Sequence, residues 1–523
     1  MKKVLLATNS EYGQANVFLA AGHALQALDP DVRIHFASYQ QIAKDVATAS
    51  AYSVHCSQGG GAQPWTFHEL DGPSFEKAVE GREKTGNRVP IGALITKPPG
   101  FFNNIELFRR LPSLLLPWDG AETVQAIQSF NRIVDAVQPD IVVIDSLFSP
   151  VLTACRHRGL RHVILSPNTL KDFGAALQPW GALLWKFPVM STGFPFPVPP
   201  RYIPANIFYC LCIIYYTLTD TARRATAAHV KRETGADLIT FEDLMMRPLP
   251  GQKILVANRP EIEFPMVVPQ HLTPCGPVIR PAPSVAEVDP ELDAWLRRGP
   301  TVFISLGTHR FMDEEEAVEM ATVVRQLLDA DDERENGGGV GGISGRLQVL
   351  WKLKKVKTDQ DYGTLKQYVG KDFGTEKGGR IHGILGDALD SDRVRIVDWV
   401  KPQPSAVLQT GQVVCSVNHG GANSFNDALT SGVPQVPLPA WLDCYDFASR
   451  AEVLGIGRCG SRKSAPKCTA RELGPIVVDV VFGPNAQSMR TKAKELAALC
   501  NKTPGATVAA AAILDEIDNK KGK

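Results

Sequence analysis

The stretch VVCSVNHGGANSFNDALTSGVPQVPLPAWLD, Val413 to Asp443, decides how the rest of the chain is read. It opens on an apolar run of strand length, after which come a His, two glycines and an Asn-Ser pair before helix-compatible residues resume. Strand, loop and helix in that order are the repeating unit of a parallel sheet with crossover helices. Such a loop presents backbone N–H groups and a helix N-terminus to an anion, and its glycines allow close approach. Phosphate binding follows naturally. His419 can hydrogen-bond a phosphate oxygen, Asn423 and Ser424 fall in the first helical turn, and Asp427 lies about one turn further on, within reach of a ribose diol. Taken singly, Asn or Ser here is an N-cap and His a packed side chain. At this spacing, together, they favour a ligand.

Working outward, the same alternation fills both halves of the chain. KVLLAT, DVRIHFASY, IVVIDS and RHVILSP read as strands in the first half, with QANVFLAAGHALQAL and AETVQAIQSFNRIVDAV as helices between them. In the second half TVFISLGT, LQVLWKL, VRIVDWV and VVCSV are strands and EEEAVEMATVVRQLLDA and SAVLQT helices. The expected fold is α/β, with two Rossmann-like doubly wound domains facing across a cleft. Residues 1–252 are expected to form the first, 253–290 a proline-rich linker, 291–483 the second, and 484–523 a pair of C-terminal helices. DDERENGGGVGGISG is expected to be a flexible surface loop, and the basic run KKVKTDQDYGTLKQYVGKDFGTEKGGR a solvated insertion. Because TVFISLGT ends in Gly307 and Thr308, a second small-residue turn sits at a strand's carboxyl end, where open α/β sheets bind ligands.

Composition narrows the partners. A chain of 523 residues with a net charge of +1 carries no broad positive field for a nucleic-acid backbone. The ten cysteines form no C-x-x-C pair, and no clustered His, Cys or carboxylate pattern calls for a metal, so a reducing, cytoplasmic setting is expected and no cofactor. The N-terminal apolar run is too brief for a signal peptide and reads as a first strand. NIFYCLCIIYYTL, Asn206 to Leu218, is shorter than the ~20 residues a membrane span requires. It reads as a buried helix, no transmembrane span is expected, and peripheral membrane contact is left open. A dinucleotide oxidoreductase is disfavoured, because TNSEYGQANV lacks the G-x-G-x-x-G that should follow the first strand.

The stretch Asp398 to Ala448, DWVKPQPSAVLQTGQVVCSVNHGGANSFNDALTSGVPQVPLPAWLDCYDFA, resembles the donor signature of the UDP-glycosyltransferase superfamily: W-x-P-Q-x-x-V-L, then H-x-G-x-N-S-x-x-E, then G-V-P and a closing D-Q. ELDAWLRRGPTVFISLGT and PDIVVIDSLFSPVLTACRHRGLRHVILSP resemble further parts of the same family. The resemblance implies a GT-B fold and an inverting transfer of a hexose from a UDP-sugar, which is a co-substrate and not a cofactor. It implies that His419, Gly421, Asn423, Ser424 and Thr308 hold the diphosphate and that Asp427, in place of the family's Glu, holds the ribose. Trp399 and Gln403 would serve the uracil and Asp443 the sugar hydroxyls, although Trp399 and Gln403 sit slightly farther from His419 than in the family and Cys444 replaces the final Gln. It also implies a last helix that crosses back to the first domain.

The largest departure lies after the first strand. The family places a His there as general base, oriented by an Asp after a later strand; here Gln14 occupies the position, while Asp145 matches the Asp. An amide has no useful basicity, so Gln14 can only position a substrate. Three accounts stay open: Asp145 as base with help from nearby Glu11; His23 recruited, although helical spacing turns it away from the loop; or a chain that binds a nucleotide sugar without transferring it. The acceptor is expected against the aromatic and proline-rich part of the region between Leu147 and Leu249, which suits an apolar hydroxylated molecule or lipid.

Overall fold

The computed structural model describes residues 1–57, 61–85, 97–246, 248–308, 310–336, 344–355 and 373–519. Two parallel sheets organise it. The first has seven strands, β1 (Lys3–Ala7), β2 (Arg33–Ser38), β3 (Thr66–Glu69), β4 (Ile141–Asp145), β5 (His162–Ser166), β6 (Ile254–Val256) and β7 (Leu272–Pro274), in the order β3-β2-β1-β4-β5-β6-β7. The second has β8 (Thr301–Ser305), β9 (Gln348–Lys352), β10 (Val394–Val397), β11 (Val413–Asn418) and β12 (Gln435–Pro437), in the order β10-β9-β8-β11-β12. Central strands such as β4 and β8 are buried along their whole length, as strands covered by helices on both faces must be.

The strand register carries the functional consequence. Val397 pairs with Lys352, Lys352 with Ser305, Ser305 with Asn418 and Asn418 with Pro437, so these five residues form one row across the carboxyl edge of the second sheet. Whatever follows each of them in sequence lies at one end of the domain. In the first sheet Ala7 pairs with Ile144, which brings the loop after β1 beside Asp145.

Three expectations are corrected. The segment assigned to a linker from residue 253 begins with β6 and includes β7, which extend the first sheet through Ile164–Ile254 and Ile254–Leu272 pairing. The prolines misled because a short edge strand tolerates them: Pro274 ends β7 at the sheet edge. The charged start of the glycine-rich loop is helical instead, since the helix Glu314–Asn336 runs through it. Asp331 is buried and paired with Arg334 at 2.9 Å and Arg393 at 2.8 Å, so this charge is held, while Glu333 and Glu335 are exposed. The rest of that loop, 337–343, and 356–372 of the basic insertion lie outside the described residues. Finally, the apolar run expected as a buried helix is a surface helix, Ile203–Thr219, of which Asn206, Tyr209 and Cys210 are the buried residues. Pro200–Thr219, 20 residues with mean hydropathy 1.3 and 17% buried, is long and apolar enough to cross a bilayer by length and composition. It packs on the helix Phe101–Leu115, where Phe101 stacks on Phe208 at 5.4 Å, and so leaves Leu211, Tyr215 and Leu218 exposed.

The last helix and a set of buried ion pairs tie the two halves. The last helix, Gly505–Asp518, returns to the first domain, where Ala509, Ala510, Ile513 and Ile517 join the core formed by β1 and the helix Tyr12–Leu28. Across the cleft, Arg450 meets Glu263 at 2.6 Å and donates to Thr169 Oγ1 at 3.1 Å, while Lys171 pairs with Asp446.

Candidate active site

The donor loop is built around His419. Gly307 and Gly421 flank its ring so closely that a Cβ at either would stand 2.7 Å from Cε1 or 2.3 Å from Nε2. Gly420, between them, has φ 75° and lies under the Cys444 carbonyl. Trp441 closes one side, its ring centroid 5.5 Å from that of His419. The turn is braced by Asn418, whose Oδ1 accepts from Gly420 N at 2.8 Å while its Nδ2 donates to Gln435 Oε1 at 3.2 Å. The helix Ala422–Thr430 that follows starts on Gly421 with no side-chain cap, so its first N–H groups are turned to the cleft uncapped. Gly307→Ala is therefore expected to cost about 1–2 kcal/mol of backbone strain at φ 80° and to displace His419, weakening UDP at least about tenfold in a calorimetric titration.

Other predicted donor residues fall around the same edge. Thr308 follows Gly307, and its carbonyl accepts from Lys354 Nζ. Ser424 lies half-buried in the first turn of the helix, but Asn423 reaches across the cleft, its Nδ2 donating to Tyr12 O at 3.3 Å. Asp427 is half-buried, and burial pushes its carboxyl up to about 7. Trp399, two residues beyond β10, is 58% exposed with Lys352 Nζ 4.7 Å from its ring centroid. Gln403 stands at the N-cap position of the short helix Pro404–Leu408, without a side-chain capping hydrogen bond, and that helix packs on the one bearing Asp427. Asp443 is pushed up to about 7 by burial first and then by the carboxylates of Asp172, from the first domain, and Asp446. Sequence reasoning missed Asn418, Gln435, Lys352 and Lys354, which strand register brings to this edge, and Trp441, which its ring contact with His419 reveals.

The opposing wall comes from the loop after β1. Asp145 is 0% exposed and held on both oxygens: Thr8 Oγ1 at 2.9 Å and Asn9 N at 3.3 Å donate to Oδ2, and Leu147 N at 2.9 Å donates to Oδ1. Burial pushes its carboxyl up to about 6 against the pull of those donors. Glu11, half-buried, precedes the helix Tyr12–Leu28 and so adjoins the Tyr12 carbonyl that Asn423 touches. Burial, then Glu76 and Asp145, push it up to about 7. Gln14 is buried with Oε1 unbonded and makes no hydrogen bond to Asp145. His23 stacks on Tyr52, centroids 5.8 Å apart, and lines a separate pocket with Ser53 and Cys56. Of the aromatic residues expected to face an acceptor, Phe187 and Tyr209 are packed in the core, while Trp180 and Trp185 are exposed. Among the described residues no three His, Cys, Asp or Glu side chains converge as a metal-holding group.

With that geometry in place, the chain is 31% identical over 494 residues to glycosyltransferase sdnJ of Sordaria araneosa, covering 92% of this chain and 88% of that one. It belongs to the UDP-glycosyltransferase superfamily. UDP-glycosyltransferase stmC of Aspergillus ustus is 26% identical over 236 residues, 44% of this chain and 40% of that one. No family model matches the chain. Among solved structures, a UDP-glucosyltransferase of Polygonum tinctorium capable of glucosylating indoxyl superposes with a TM-score of 0.60 at 15% identity, over 99% of both chains. UGT2 of Phytolacca americana, complexed with UDP-2-fluoro-glucose and pterostilbene, does so with a TM-score of 0.57 at 14% identity, over 100% of both. The fold of this glycosyltransferase is GT-B, and the protein is a UDP-sugar-dependent enzyme.

Proposed function

We propose that the enzyme moves a hexosyl group from a UDP-sugar, with inversion, to a hydroxyl of an apolar acceptor, and that the Glu11–Asp145 pair supplies the base. The observation that carries the base assignment is the contrast between the two carboxyls: Asp145 is wholly buried with both oxygens engaged, whereas Glu11 is half-buried beside the contact between Tyr12 and the donor helix. Glu11 accepts the acceptor's proton while the freed oxygen bonds to the anomeric carbon from the face opposite the nucleotide. The bond from that carbon to the β-phosphate oxygen breaks, and UDP leaves with the electron pair. Burial first, then the charges of Glu76 and Asp145, keep Glu11 basic. His419, Thr308 and the uncapped helix N-terminus receive the diphosphate, Asp427 the ribose, Trp399 and Gln403 the base and Asp443 the sugar hydroxyls. The exposed aromatic residues of the first domain support an apolar acceptor.

Mass-spectrometric assay of a UDP-sugar panel with apolar hydroxylated acceptors tests the proposal. Transfer by the wild type that fails in both Glu11→Gln and His419→Ala is the expected result. Wild-type protein that binds UDP but transfers nothing would replace it with a nucleotide-sugar-binding protein. Gln14→His separates the two further. With a working carboxylate base it should change turnover by less than about tenfold, whereas a rise of about 10²-fold or more, the typical worth of a general base, would mean that the amide had silenced the site.

A further inference from the structure

One largely buried lysine at the carboxyl edge of the second sheet has no anion to answer it among the described residues. Lys352, the last residue of β9, is 7% exposed, and among the described residues its ammonium makes no hydrogen bond and no ion pair. It rests against the Trp399 indole, 4.7 Å from the ring centroid. Burying an ammonium without a counter-ion is costly, and an aromatic face returns only part of that cost. A site that keeps such a group is a site for a negatively charged ligand.

Its position identifies the ligand. Lys352 pairs with Ser305 on one side, two residues before Gly307, and with Val397 on the other, two residues before Trp399. It therefore stands between the glycine-flanked His419 and the ring expected under the uracil. Two residues on, Lys354 is tied to the Thr308 carbonyl and lies over the Phe311 ring at 4.3 Å. An anion placed between a base-stacking ring and a phosphate-type loop is the diphosphate of a nucleotide. We propose that Lys352 is a donor-binding residue whose ammonium neutralises the diphosphate of the UDP-sugar and of the departing UDP. The assignment rests on the donor-site reading above. Burial and the neighbouring Lys354, the charged group that acts on it, lower Lys352 to about 8, so an arriving dianion should raise its proton affinity.

Isothermal titration of the full chain with UDP, and with uridine as the phosphate-free probe, tests this in wild type, Lys352→Met, Lys352→Gln and His419→Ala. Both lysine variants should bind UDP about 10- to 100-fold more weakly, the worth of a hydrogen bond to a charged group, with uridine affinity unchanged. Their thermal midpoints should equal or exceed the wild type's, because an unpaired buried charge has been removed. At pH 8 the wild type should take up a fraction of a proton on binding UDP, read from titrations in buffers of different ionisation enthalpy, and the variants should not. UDP affinity that survives in both lysine variants but falls in His419→Ala would overturn the role of Lys352 and leave the donor site standing. Uridine weakened as much as UDP would also overturn it, since Lys352 would then act only through Trp399. Unchanged UDP affinity in all three variants would sink the donor-site reading and this assignment with it.

Discussion

Glu11→Gln lowers kcat by about 10²- to 10⁴-fold with KM for the donor little changed, because a positioned general base contributes that much to the transition state and nothing to donor binding. The sign of the pH dependence follows from the two carboxyls. Glu11 is raised to about 7 and Asp145 to about 6, and a base works only when deprotonated. Turnover should therefore rise with pH through the range 6 to 7 and level off above it. The charge of Asp145, after burial and Glu76, is part of what raises Glu11. Asp145→Asn removes a negative neighbour of Glu11, so the limb should move to lower pH as turnover falls. A merely structural role for Asp145 would lower activity and leave the limb where it was. The measurement is a kcat profile for wild type, Glu11→Gln and Asp145→Asn with saturating UDP-sugar. A wild-type profile flat between pH 5 and pH 8 would remove both carboxyls from the chemistry.

Arg450→Met costs about 3–5 kcal/mol of stability, a large share of the ~5–15 kcal/mol typical of folded proteins. Arg450 is 1% exposed at its side chain and Glu263 0%, and the pair spans the two domains. Glu263 also accepts from the backbone of Lys171 at 3.0 Å and of Phe264 at 2.8 Å, while the guanidinium lies 4.6 Å from the Phe264 ring centroid. Removing the guanidinium leaves a buried carboxylate with only backbone donors, and that uncompensated charge sets the size of the effect. Glu263→Leu combined with Arg450→Met should recover much of the loss, because no charge then remains to desolvate. Urea unfolding of the two singles and the double gives the coupling. Additive losses would show that the pair is not one unit. Since Asp446 on the same helix pairs with Lys171, and Asp443 stands at the N-cap of that helix, the clamp also fixes Asp443 relative to the first domain.

The row at the carboxyl edge of the second sheet separates what was local from what was not. His419, Gly421, Asn423, Ser424 and Asp427 lie within nine residues on one strand–loop–helix unit, so their spacing alone places them at one helix start, as β11 and the helix Ala422–Thr430 bear out. Gly307 was legible as the end of an apolar strand, but its role as the floor under the His419 ring was not. Lys352 reads as one more residue of the strand LQVLWKL, and nothing in its neighbours in sequence reveals that its ammonium rests against Trp399. Edge strands and surface helices were misread for a related reason. Proline content hid β6 and β7, and apolar content hid the exposure of Ile203–Thr219.

Sequence by itself determined the two α/β halves and the glycine-flanked loop after β11, because each depends on residues close together in the chain, where periodicity and glycine placement act directly; that Gln14 stands where a histidine is expected came from the family resemblance alone. The tertiary structure decided the rest: strand register set Lys352 beside Ser305 and Val397, and the closing of two domains brought Asn423 to Tyr12 and Arg450 to Glu263. It also decided how far each of the two carboxyls is exposed. Exposure depends on everything packed around a group, so Asp145 ends wholly buried while Glu11 stays partly open, and no local pattern in the chain encodes that difference.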